Sequence, residues 1–362
     1  MLVLLATASR AANYDINVAG VEVSTSNYNN VRGGDIESGT VTYSPSTKTL
    51  TLTNVSISRD GGNEYCIHNR SVKGLIVKFV GSCYLYSKKA RVIRFQSGGN
   101  NDSGNDCELV ATSGSTVTLE SEEDGAIYVR DFTTLWIKGP GTFNITGNKN
   151  GAIAGHGSWN SSVGDLATAD NIKFSDVTAT VTGAQSALLG LSMVYFYAGS
   201  NVTFEATNNS SYPVARDVSY CNLYGNTAII LPVGASFSES SKSFVLNGSK
   251  IYNQDVVVSE SGGVVLNSTN FPDTNFRNYL LSLYPKGYIT KTELQNLTTL
   301  NVANKSISNM KGIEKLIYLK ELRCWNNSFT SLNLNSNTAL TYLDCAPNSQ
   351  LTSLSIGSCT NL

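Results

Sequence analysis

The side chains that could do chemistry are few and thinly spread. The densest ionisable group is Glu120, Glu122, Glu123 and Asp124, followed by Arg130 and Asp131. Cleaving a polysaccharide needs paired carboxylates, or a carboxylate-held metal beside a base. No second acidic cluster completes that set, so the group reads as a solvated turn. The two histidines, His68 and His156, are 88 positions apart and read as isolated polar positions. The seven cysteines (66, 83, 107, 221, 324, 345 and 359) are odd in number and contain no Cys-x-x-Cys pair, which excludes a complete disulfide framework. No catalytic residue, metal or cofactor is expected from these residues.

One segment has a metal-binding frame without the ligands. Between Ser282 and Glu293 the spacing matches a twelve-residue EF-hand loop, with Gly287 sixth, Ile289 eighth and Glu293 twelfth. The first, third and fifth places, which should supply oxygen ligands, are Ser282, Tyr284 and Lys286. Lys286 would put a cation where Ca²⁺ belongs. Upstream, the run from Asn270 to Leu283 predicts a capped helix starting near Asp273, and Thr290 with Glu293 forms a capping box for a second helix. Residues 263–296 are therefore expected to be a calcium-free helix–loop–helix linker resembling a degenerate EF-hand.

The strongest periodic signal follows, in residues 297–362. Leu297-Thr-Thr-Leu300-Asn-Val302, Leu319-Lys-Glu-Leu322-Arg-Cys324 and Leu340-Thr-Tyr-Leu343-Asp-Cys345 align as L-x-x-L-x-(L/C), and a fourth copy would begin at Leu362, where the sequence stops. The repeat is read as truncated. Three positions after Val302, Cys324 and Cys345 come Lys305, Asn327 and Asn348; the asparagines cap the turn backbone in repeats of this kind. Cys324 and Cys345 share an inward column, where cysteine acts as a small hydrophobe. The outward positions are Thr299, Asn301 and Ala303, then Glu321, Arg323 and Trp325, then Tyr342, Asp344 and Ala346. Parallel neighbours lie about 4.8 Å apart, so Arg323 is expected beside Asp344 and Trp325 between two alanines. Glu321, Arg323, Trp325, Tyr342 and Asp344 form the candidate ligand-binding face; Asn327, Asn348, Cys324 and Cys345 have structural roles. The pattern resembles the leucine-rich repeats of the BspA-like bacterial adhesin group, apart from Lys305, which marks the first copy as a cap.

Ahead of the repeats, apolar pairs recur at Cys66-Ile67, Val92-Ile93, Ala126-Ile127, Ala152-Ile153 and Ala187-Leu188, with steps of 26, 34, 26 and 35 between their second members. The two long steps contain the polar stretches 97–106 and 155–170. A hairpin with one buried face is predicted from Val41, Tyr43, Leu50 and Leu52 around Pro45. Short strands turned by Gly and Asn favour a right-handed parallel β-helix over residues 13–262, with this hairpin as its N-terminal cap; a β-sandwich is the alternative. The opening Tyr14-Asp-Ile-Asn-Val-Ala-Gly-Val-Glu-Val and the Gly-Ala-Ile rungs resemble β-helical domains of surface proteins from anaerobic gut and oral bacteria. That resemblance implies fold and location, with no activity attached.

Composition bounds the function. Basic and acidic residues number 26 and 27 for a net charge of −1, without a basic stripe to neutralise phosphates, so nucleic acid is not an expected partner. Residues 1–12 end in small residues after an apolar run and read as a signal-peptide remnant. No other stretch approaches the roughly 20 apolar residues that span a bilayer. Together these features predict a mainly β, secreted or cell-surface repeat protein that recognises an unknown protein or glycan through its solenoid faces. A carbohydrate-active β-helix enzyme and a structural stalk are the competing readings.

Overall fold

A computed structural model describes residues 11–61, 65–96, 105–130, 133–155, 170–207, 211–260 and 262–362. Residues 1–10 of the signal-peptide reading at 1–12, and most of the two polar stretches 97–106 and 155–170, lie outside them. The protein is mainly β and divides into two compact units, residues 1–258 and 259–362.

In the first unit the apolar pairs set the register. Ile67, Ile93, Ile127, Ile153 and Leu188 face one another on successive parallel strands, Ile67–Asn69, Ile93–Gln96, Ile127–Arg130, Gly151–Ala154 and Ser186–Leu189. A sixth strand, Ala215–Arg216, extends this first face, with Ala215 opposite Leu188. Each strand pairs with the one three places later in the chain, so two further parallel ladders form alongside. The second face runs through Ile76–Val80, Asn105–Ala111, Thr133–Lys138, Asn171–Ser175, Met193–Phe196 and Tyr220–Leu223. The third runs through Ser82–Ser87, Thr116–Ser121, Thr142–Gly147, Thr178–Gly183 and Asn201–Ala206. Period-two alternation sends Val117, Leu119, Phe143, Ile145, Ala179, Val181, Val202 and Phe204 into the core at 0–1 % exposure and leaves mainly Thr and Asn outside.

The strand Thr49–Arg59 starts both the second and third ladders. Its first half pairs with Ile76–Val80 and its second with Ser82–Ser87. Asn54 makes the bend at φ +48°, and its side-chain oxygen accepts from the Ser82 N–H at 3.1 Å. Asn is among the few non-glycine residues that adopt this region readily. The hairpin around Pro45 pairs Ile36–Ser44 with Thr49–Arg59, putting Val41 opposite Leu52 and Tyr43 opposite Leu50.

The second unit holds three parallel strands, Thr299–Asn301, Glu321–Arg323 and Tyr342–Asp344, with Leu300, Leu322 and Leu343 in register. A second parallel pair, Ser331–Asn333 with Ser353–Ser355, aligns Leu332 with Leu354. The two helices, Thr274–Leu283 and Lys291–Asn296, contribute Phe276, Leu280 and Leu294 to the same buried cluster as Leu300, Leu319 and Leu322. By burial, the helix–loop–helix of 263–296 packs its apolar side chains with those of the repeats. Gly312 shows how closely they pack. It sits at φ +106°, and a Cβ there would come within 2.3 Å of the Phe271 ring.

Asp273 joins the helix to the repeats. One carboxylate oxygen caps the first helix by accepting from the Phe276 N–H; the other accepts from the Ser308 N–H and hydroxyl, each at 2.8 Å, and from the Asn309 N–H at 3.1 Å. Burial pushes this carboxyl up, but the four donors outweigh it and hold it below its ordinary value of 3.8. A depressed folded-state pKa contributes stability above the unfolded value, and that contribution is lost as pH falls through the folded value. The resistance of the second unit to urea should therefore fall on acidification below the ordinary carboxylate range. Asp273→Asn should flatten that dependence, and an unchanged pH profile in the variant would refute the assignment.

Candidate functional site

The candidate face is built by the three parallel strands of the second unit. Alternation turns Leu322 and Cys324 inward and presents Glu321, Arg323 and Trp325 outward. Arg323 stands directly opposite Asp344 in the ladder, yet among the described residues no ion pair joins them. The guanidinium instead lies 5.6 Å from the Tyr342 ring, on the neighbouring strand, because a long side chain reaches a diagonal neighbour as easily as a direct one. Tyr342 is 45 % exposed and Arg323 is exposed, whereas Glu321, Trp325 and Asp344 are half-buried. Trp325, expected in an open hollow between alanines, is thus partly covered. Ala303 on one side is 9 % exposed and Ala346 on the other is open. The face is consequently centred on the Arg323–Tyr342 pair.

Asn327 and Asn348 hold the backbone behind this face. The Asn327 side-chain oxygen accepts from the Lys305 and Ile307 N–H groups at 3.2 and 2.9 Å, and its amide donates to the Val302 and Cys324 carbonyls, both at 2.9 Å. Asn348 repeats the arrangement one turn on, accepting from the Asn327 N–H at 2.7 Å and donating to the Cys324 and Cys345 carbonyls. Cys324 is fully buried, and burial pushes its thiol up to about 12, with the nearby Cys345 and Asp344 adding to the shift. Cys345 is raised in the same direction, again by burial first. A thiol that burial keeps protonated is a poor nucleophile. None of the seven cysteines is in a disulfide.

The EF-hand-like loop contains its own cation. Lys286 Nζ donates to Glu293 Oε1 at 2.8 Å, while Glu293 Oε2 accepts from the Thr290 N–H and hydroxyl in the capping box. The twelfth-position carboxylate is thereby occupied by protein donors. The acidic group of the first unit is likewise engaged: Tyr84 donates to Glu120 and Tyr86 to Glu122, Lys149 reaches Glu123, and Arg91 pairs with Asp124 at 3.2 Å. The four carboxylates answer to four different neighbours rather than to a common centre. Asp131 and His156 lie outside the described residues.

A second feature, half-buried apart from the exposed Tyr224, escaped the sequence reading. On the second face Trp136 and Tyr195 flank Lys173 in one register column. The ring of Tyr197 lies 5.3 Å from Trp136 and 5.0 Å from Tyr224, and Tyr195 is 6.1 Å from Tyr224, all near-parallel. Lys173 sits 4.6 Å over Trp136. The residues span nearly 90 positions, and only the ladder register reveals them as neighbours; the visible signal was an aromatic at alternate positions of strand-like runs.

No protein-family model matches the chain. Over 71 residues, 19 % of its length, it is 41 % identical to Internalin J of Listeria monocytogenes serotype 4b (strain F2365). It is also similar to a solved structure described as the functional domain of InlJ from Listeria monocytogenes, which includes a cysteine ladder; this match has 38 % identity, covers 28 % of the chain and has a TM-score of 0.25. The chain spans only 8 % of the curated relative and 22 % of the solved chain.

Proposed function

We propose that this chain is an exported, surface-associated or secreted binding protein that recognises a protein or glycan ligand, with the repeat face around Arg323 and Tyr342 as its contact surface. The observation that carries the reading is that face itself: an in-register parallel sheet with an arginine and an open tyrosine at its centre, the residue types that dominate binding hot spots. The sequence identity between a 71-residue segment and Internalin J supports an adhesion-type role, as does the resemblance of the repeats to bacterial surface adhesins. No helix among the described residues is long and apolar enough to cross a membrane.

In this reading the first unit is a right-handed parallel β-helix. Its support is the pairing of each strand with the third one onward in three parallel ladders, a pattern that antiparallel sandwiches do not use. The β-helix presents long faces. No catalysis is proposed.

A protein and glycan array probed with the chain should identify a ligand. The double variant Arg323→Ala/Tyr342→Ala should then weaken binding by about 10- to 100-fold, with the melting temperature unchanged because both side chains are exposed. Undiminished binding would remove the face from the reading. Absence of any ligand would favour the stalk, and depolymerisation of an acidic polysaccharide would favour the enzyme.

A further inference from the structure

A cleft on the first unit has the makings of a separate binding site. On the first face the outward positions Asn17, His68, Arg94 and Tyr128 stand in register on four adjacent strands. Above them lies a cavity of about 690 Å³, lined also by Glu22, Tyr65, Arg70, Lys89 and Asp124. Its acids are already neutralised. Glu22 pairs with Arg70 at 2.5 Å and accepts from the amides of Asn13 and Asn17; Asp124 pairs with Arg91 at 3.2 Å and accepts from the Asn150 amide at 2.7 Å. Arg94 and Lys89 have no carboxylate partner among the described residues, so the cleft carries two uncompensated positive charges.

Arg94 is also held in place and left with a donor to spare. Its Nη1 donates to the Tyr65 hydroxyl at 2.6 Å, and its guanidinium lies 5.3 and 5.8 Å from the Tyr65 and Tyr128 rings. The buried Nε of Arg94 and the buried Nε2 of His68 make no hydrogen bond. Burial, then the Arg94 and Arg70 cations, pulls the His68 ring down to about 4, so at neutral pH it is an uncharged polar group. Buried polar groups without partners are unfavourable unless something bound satisfies them.

We propose that this cleft binds an acidic saccharide, taking its carboxylate or sulfate on Arg94 and Lys89 and a hydroxyl on His68 Nε2. An oxyanion matches the uncompensated charge and the free guanidinium donor. The volume falls in the range of small-molecule pockets, about 300–1,000 Å³, so a bare anion would leave most of it unfilled. A lining of amides, phenols and charged groups suits a hydroxyl-rich ligand better than an apolar one. The site uses no residue of the repeat face, so it stands or falls independently of that face.

The test is a titration of the full chain with trigalacturonate, a sulfated disaccharide and neutral maltotriose. The His68 ring resonance serves as the local reporter. The chain has only two histidines, and His68→Asn identifies the signal. Trigalacturonate or the sulfated disaccharide should shift that resonance and bind more weakly as salt is raised, while maltotriose should not bind. Arg94→Gln should weaken binding about tenfold and Lys89→Gln about threefold. Should Arg94→Gln fail to fold, the exposed Lys89 decides alone. The proposal is overturned if neither acidic ligand moves the His68 resonance, if maltotriose binds equally well, or if the variants that fold bind unchanged.

Discussion

Alanine in place of Asn327 is expected to lower the unfolding free energy of the repeat unit by about 3 kcal/mol, at the upper end of what one buried polar deletion costs. The residue is 7 % exposed and serves the Lys305 and Ile307 N–H groups and the Val302 and Cys324 carbonyls at once. Alanine would remove that partner from all four, and among the described residues only the Cys324 carbonyl would keep a second one, the Asn348 amide. Asn301, itself exposed on the outer side of the same sheet, accepts only from the Ala303 N–H at 3.1 Å, and its alanine variant should lose no more than about 0.5 kcal/mol. Native-state hydrogen exchange at the amides of Leu322 and Cys324 distinguishes the two. Equal losses would mean that Asn327 does not hold the turn.

The second large effect belongs to the core of the first unit. Phe204 is fully buried and meets Phe174, Phe196 and Phe244, each at a ring separation of 5.8–5.9 Å. Phe174 and Phe196 come from the second face and Phe244 from the strand Ser243–Leu246, while Phe204 stands on the third face, so truncating Phe204 opens a cavity between elements that cannot all close on it. Phe204→Ala should cost about 3–5 kcal/mol, read as a lower urea midpoint of the first unit with an unchanged slope. Phe204→Leu should recover more than half of the loss. A full-sized loss in the leucine variant would point to ring geometry rather than volume.

The contrast between what could and could not be read beforehand follows from range. Five apolar pairs from Cys66-Ile67 to Ala187-Leu188 announced the rungs because each rung must bury the same inward positions. The sixth, Val214-Ala215, was missed although it follows 27 residues after Leu188, because the strand behind it is only two residues long. In the repeats the Leu-x-x-Leu spacing gave the Leu300, Leu322 and Leu343 register, while the parallel pairing of Leu332 with Leu354 went unnoticed in Ser/Asn-rich sequence. The partial burial of Trp325 and the packing of both helices into the repeat core depend on tertiary contacts with no local signal. The same holds for the cleft: His68 and Arg94 are 26 residues apart and become neighbours only once the rung length is known.

The rungs also show where chain length is free to vary. Both long steps between apolar pairs carry their extra residues at one corner, between a first-face strand and the next second-face strand: from Gln96 to Asn105 in one case and from Ala154 to Asn171 in the other. Elsewhere the corner closes in a few residues, as from Leu189 to Met193 and from Arg216 to Tyr220. Since parallel pairing is kept rung to rung on either side of each insertion, additions there leave the indexing of the whole ladder intact. An insertion inside a strand would instead flip every side chain beyond it. The chain can therefore be lengthened at this one edge while the buried columns keep their order.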